Sequence, residues 1–215
     1  MKFYLTGTLI LLLAGLLWAE TGSSKQEAQS EETRVKIEGT SNLHDWKVEG
    51  NTIQGHLEVQ KDSPADSLLR GEPGLKTQSI GTTLQVEIPI RSLKSGKGGM
   101  DKRMYKALKE KDHPTIMYRF KDAVWVHHAP IRLQTNGELT VAGVSRQVEM
   151  MVTVEPLQGG RLKIVGETSL KMTDFQIKPP RAIMGLIRTG NEIQIVFEWV
   201  TAFSVGKTEV ANLSQ

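Results

Sequence analysis

The stretch NLHDW at residues 42–46 carries the side chains best suited to chemistry, because His44, a proton carrier near neutral pH, stands beside the carboxylate of Asp45. Such a pair could start an acid/base couple or the metal site of a hydrolase. Adjacent residues on a strand, however, point to opposite faces, and no third ligand follows at metal spacing. The stretch therefore reads as a turn or strand end, with Trp46 packed in the core. His127 and His128 are also adjacent, in a polar turn before Pro130, and read as solvated, while His56 and His113 stand alone. The chain has no cysteine, no Gly-x-Ser-x-Gly elbow and only scattered strand-surface carboxylates. These features point away from an enzyme, and no catalytic residue, cofactor or metal ligand is assigned.

A second candidate is SGKGGMD at 95–101, a glycine turn opening onto a helix start, which could offer backbone N–H groups to an anion. It lacks the spacing and the Ser/Thr of a nucleotide P-loop. Met100, Met104 and Leu108 then recur every four residues, with Asp101 in the first turn and lysines in the last. Pro114 forces His113 out of helical geometry, which predicts one short amphipathic helix over about 100–111. Methionine repacks around varied apolar shapes, so this helix is either a plug at one end of a barrel or a lid over a ligand.

The elements around it are strands. Leu84, Val86, Ile88 and Ile90 alternate with polar residues, as do Val148, Met150, Val152 and Val154. The same period places Ile116, Tyr118, Phe120, Val124 and Val126 on one expected face, Leu162, Ile164, Leu170 and Met172 on another, and Ile193, Ile195, Phe197 and Trp199 on a third. Turn signals EGNT, NGE, AGVS, QGGR and RTGNE separate these runs, and strands joined so briefly pair antiparallel. A mainly β, antiparallel barrel of about eight strands follows, whose interior either fills with side chains or holds one small ligand. Residues 60–79, rich in Pro, Gly and Ser, read as a long surface loop.

Length and charge set the outer limits. The 215 residues suffice for one cored domain plus an export signal. Lys2, the apolar run Leu5–Trp18 and Ala19 predict a cleaved signal peptide over 1–19, with a disordered leader over 20–32, the barrel over 33–203 and a flexible tail over 204–215. The run is shorter than the roughly 20 residues that span a bilayer, so the processed chain is expected in the periplasm or secreted, not spanning a membrane. A formal charge of +3 without any basic block argues against a nucleic-acid partner.

Three blocks, IPIRSLKSGKGGMDKRMYKALKEKDHPTIMYRF, GELTVAGVSRQVEMMVTV and GETSLKMTDFQIKPPRAIMGLIRTGNEIQIVFE, resemble in order and spacing the YceI-like family of exported bacterial proteins, over roughly residues 34–201. The resemblance implies a lipocalin-like antiparallel barrel with a helix, enclosing an apolar tunnel for a polyisoprenoid or similar amphiphile, without established catalytic residues; it also allows a homodimer. Onto this chain it carries Met172, Phe175 and Ile177 from MTDFQIKPP and Met100, Met104 and Leu108 from GGMDKRMYKAL as tunnel lining. Ile116, Tyr118, Phe120 and Phe197 join them from inward strand positions, with Lys102, Arg103, Lys106 and Arg181 as head-group candidates at the mouth. The opening EGTSNLHDWKVEG matches only one branch of the family, and the 60–79 loop is longer than usual. At roughly 0.8 kcal/mol per buried CH₂, ten enclosed carbons supply about 8 kcal/mol, a micromolar scale. The alternative is a packed barrel acting as a protein-interaction or stress-response module without a lipid ligand.

Overall fold

Runs of alternating apolar and polar residues become eleven strands in the computed structural model, which describes residues 33–70, 72 and 80–206. They are β1 (Arg34–Ser41), β2 (Trp46–Gly50), β3 (Gln54–Gln60), β4 (Thr82–Pro89), β5 (Thr115–His128), β6 (Ile131–Val141), β7 (Val144–Leu157), β8 (Arg161–Lys171), β9 (Arg181–Ala182), β10 (Ile187–Ala202) and β11 (Ser204–Gly206). Two α-helices, α1 (Pro64–Leu69) and α2 (Gly98–Ala107), accompany them. The expected signal peptide, the leader and the end of the tail lie outside the described residues.

The strands form one curled sheet in the order β11-β3-β4-β5-β6-β7-β8-β10-β1-β2, with β9 on β10. The expected meander is present from β3 through β8, where every pairing is antiparallel. Two of the strands beyond the expected eight, β9 and β11, of two and three residues, are too short to leave a period in the sequence. Chain continuity carries β10 through Phe203 into β11, which lies parallel on β3. That bend brings the margins of the curl together, and Trp199 of β10 covers Gly55 of β3, where a Cβ would stand 2.8 Å from the indole.

Other strand glycines serve the same purpose. Gly39 faces Trp46 across the β1·β2 pair, Gly166 faces Phe197 across β8·β10, and Gly137 lies under the Tyr118 ring. A side chain at any of them would overlap the aromatic group already there. These rings fill the gaps left by glycine and pin the register of strongly curved strands. The Tyr118 hydroxyl is shielded from solvent without completing a hydrogen bond of good geometry. Burial pushes its pKa up, and the neighbouring Thr135 hydroxyl offsets part of that rise.

Several sequence expectations change here, and the turn signals NGE and RTGNE lie inside β6 and β10. Val124 and Val126 do not share the face of Phe120: they are 48% and 53% exposed, while Ala123 and Trp125 are buried in their place. The cause is a bulge between Phe120 and Asp122, whose extra residue inverts the in/out parity of the rest of the strand. Part of the 60–79 segment is also not surface loop. Ser63 caps α1 by accepting from the Asp66 amide at 3.2 Å, Pro64 sits in the first turn, and Ala65 and Leu68 enter the main core cluster. Finally, α2 begins at Gly98 and ends at Ala107, earlier than expected at both ends, and Lys109 turns left-handed at φ 51°. Ser204–Gly206, at the start of the expected tail, form β11.

Two consequences are measurable. Gly137→Val, which forces the Tyr118 ring aside, is expected to lower stability by about 1–3 kcal/mol, read as a shifted urea midpoint. Because the folded state keeps the Tyr118 proton that the unfolded chain releases above about pH 10, wild-type stability falls as pH rises beyond that point. Tyr118→Phe should flatten this alkaline loss, and an unchanged pH profile would show the phenol to be freely hydrated.

Candidate functional site

The curl encloses a cavity of about 450 Å³ whose wall draws on every strand from β1 to β10 and on both helices. Strand direction fixes its two ends. β1 finishes, β5 starts, β8 finishes and β10 starts at one end, and α2, set between β4 and β5, lies there too. At the other end Ala65 and Leu68 of α1 close the wall beside Ile80.

Apolar side chains that point inward along β4, β5 and β10, such as Val86, Phe120 and Ile195, are only half-buried although they face the middle of the molecule. Their residual exposure is to the cavity. The same holds for α2, none of whose residues is fully buried, yet whose Met100 and Met104 pack on the main core. All ten residues expected as lining are on the wall: Met100, Met104, Leu108, Ile116, Tyr118, Phe120, Met172, Phe175, Ile177 and Phe197. Phe175 and Ile177 are held by the 3₁₀ turn Met172–Phe175, whose side chains cluster with Leu139, Val141 and Val148.

Polar anchors fix α2 over this end. The Tyr105 hydroxyl donates to the Leu93 carbonyl at 2.8 Å and accepts from Lys94 Nζ at 2.8 Å. The Arg91 guanidinium stacks 5.1 Å from the same ring and grips Glu110 through Nε and Nη2 at 2.7 and 2.9 Å. That hydrogen-bonded pairing holds the Glu110 carboxyl below its usual range and raises Arg91 further. Asp101 accepts from the Ser95 hydroxyl and amide at 2.5 and 2.8 Å, hydrogen bonds that lower its pKa in turn. The first turn of α2 thus already holds a carboxylate of its own, and the anion cradle suggested by SGKGGMD gains no support.

The wall includes no Asp or Glu. Its charged side chains are Lys97, Arg103 and Arg181, and together with His44 they are also its only solvent-exposed members. All four lie at the α2 end, which is therefore the mouth. Of the expected head-group residues, Arg103 and Arg181 are on the wall; Lys102 and Lys106 are exposed and off it. Sequence reasoning misses Lys97 and His44 as members of the mouth. Lys97 occupies the N-cap of α2, a position with no periodic signal, and the residue type of His44 suggests catalysis before binding. Its Nδ1 lies 2.9 Å from the Asp45 carbonyl oxygen, and among the described residues no group of three or more His, Cys, Asp or Glu could hold a metal ion.

Solved structures with this architecture are known. A Burkholderia cenocepacia protein, BcnA, shares 15% identity at a TM-score of 0.57, covering 78% of this chain and 96% of its own. A polyisoprenoid binding domain from Saccharophagus degradans gives 11% and 0.54, covering 78% and 92%. The Campylobacter jejuni YCEI protein gives 16% and 0.52, covering 72% and 82%. At such identities these likenesses speak for the fold alone. Among curated proteins, no sequence matches this chain. The model of the YceI-like domain matches residues 27–201, most of the sequence, and the chain belongs to the YceI-like family.

Proposed function

We propose that this is an exported, non-catalytic binding protein that holds a polyisoprenoid or other long-chain amphiphile, with the chain in the cavity and a polar or anionic head at the mouth. The observation that carries the reading is the cavity of about 450 Å³ with an almost wholly apolar wall, within the size range of small-ligand sites. Left without an occupant, that volume would forgo on the order of 10 kcal/mol of packing at about 24 cal/mol per Å³, comparable to the whole stability of a typical domain. A chain of isoprene or methylene units matches the wall without needing directional contacts. The solved polyisoprenoid binding domain of the same fold supports this class of ligand, and the amino-terminal apolar run supports export.

Lys97, Arg103 and Arg181 are placed to meet the head. Three cations and no acid favour a phosphate- or carboxylate-bearing head over a neutral one, since charge-assisted hydrogen bonds contribute about 1.5–3 kcal/mol each. A packed interaction module would need inward side chains that meet one another. The half-buried inner faces of β4 and β10 do not fit it.

Organic extraction of the purified chain followed by mass spectrometry should yield a long-chain amphiphile in near-stoichiometric amount; Ile195→Trp, which fills the cavity, should lower the yield while the protein stays folded. Extracts free of any amphiphile would overturn the reading. In titrations, Arg103→Gln combined with Arg181→Gln is expected to weaken a prenyl phosphate by about tenfold or more and to leave the matching prenyl alcohol unchanged. Equal losses for both ligands would remove the head-group assignment.

A further inference from the structure

We propose that the β9 turn and the neighbouring Asn42–His44 turn form a docking surface that seats the cavity mouth on an anionic lipid bilayer. Eight large apolar residues among those described are well exposed, and four of them gather here: Leu43 at 65%, Ile183 at 64%, Met184 at 104% and Leu186 at 71%. The other four lie on the outer faces of β5, β7 and β11. An exposed apolar cluster at the rim of a cavity marks an interaction site.

The backbone holds the cluster outward. Ile183 and Met184 take left-handed φ values of 47° and 53°, an outlier for a β-branched residue, and such strain persists where surrounding structure imposes it. Here β9 pairs with β10 through Arg181↔Arg188 and Ala182↔Ile187. Asn42 clamps the far side: its Nδ2 donates to the Leu186 carbonyl at 2.9 Å, its Oδ1 accepts from the Arg188 amide at 2.7 Å, and its own amide donates to the Arg188 carbonyl at 3.1 Å. These three hydrogen bonds tie the turn that carries Leu43 to the β9 turn.

Charge selects the partner. Residues 175–191, FQIKPPRAIMGLIRTGN, contain Lys178, Arg181 and Arg188 and no acidic residue; the carboxylates flanking this unit are Asp174, Glu192 and Asp45. Exposed apolar residues interspersed in sequence with cations match the acyl and head-group layers of an anionic membrane surface. Arg181, Ala182 and Ile187 belong at once to this unit and to the cavity wall, so seating the patch in a bilayer puts the mouth against the phase in which long-chain amphiphiles dissolve. The passage of ligand between bilayer and cavity rests on the function proposed above; the docking does not.

The test is flotation of residues 20–215 with phosphatidylglycerol/phosphatidylcholine vesicles and with phosphatidylcholine vesicles alone. Binding to the anionic vesicles that weakens with salt, and falls at least tenfold in Met184→Asp/Leu186→Asp and in Lys178→Glu/Arg188→Glu, is the expected result, with the thermal midpoint unchanged. Absence of wild-type binding to either vesicle, or equal binding by wild type and variants, would overturn the proposal. So would wild-type self-association in sedimentation that the Asp variant abolishes in the absence of lipid, which would make the patch an interface between copies. A fluorescent prenyl probe added without vesicles separates the two ideas: failure of the probe to bind removes the carrier reading, whereas the vesicle result alone decides the docking surface.

Discussion

The fold depends on keeping apart the apolar side chains that face inward. In a solid core such groups stabilise one another by close contact; here Val86, Ile195 and their neighbours look across a cavity, and the dispersion contacts they forgo must be made up in the shell. Long hydrogen-bonded ladders supply one part, with β8 and β10 in register from Glu192↔Lys171 to Ala202↔Arg161. Aromatic rings laid on glycines supply another, because Trp46, Tyr118, Phe197 and Trp199 each press on a strand that has given up its own side chain. The curl is held from within its wall, which is what allows the middle to stay open.

Most of the inner surface was legible in the sequence because strand alternation is a direct projection of inside and outside. Met100, Met104 and Leu108 were legible for the same reason at helical period, and all ten expected lining residues reach the wall. The features that escaped have no period to read. One residue of bulge after Phe120 sends Val124 and Val126 outward, and α1 is hidden inside a Pro- and Ser-rich stretch that reads as loop until Ser63 and Pro64 are seen as a helix start. The β9 and β11 strands are shorter than any repeat. Family blocks in the sequence conveyed the overall architecture better than periodicity did, since they carry order and distance together.

Apolar surface with a few cations at one end makes up the site. His44 and Asp45, the pair that first suggests acid/base work, form part of a turn knitted by the Ser41 hydroxyl, which donates to the His44 carbonyl at 2.6 Å and accepts from the His44 amide at 3.2 Å. With no carboxylate on the wall and all its cations at one end, the cavity is apolar along its length and electropositive at its opening. Such a gradient is complementary to a molecule with an apolar chain and an anionic end.

The seam of the curl has a mechanical consequence. Among the described residues, Ser204, Val205 and Gly206 are the whole of the parallel ladder on Glu58, Val59 and Gln60, whereas β8 and β10 pair over eleven residues. Girth is therefore the softest dimension of this container. Strain across the wall would part these three rungs before the longer ladders, opening the vessel along one seam while the remaining staves keep their spacing.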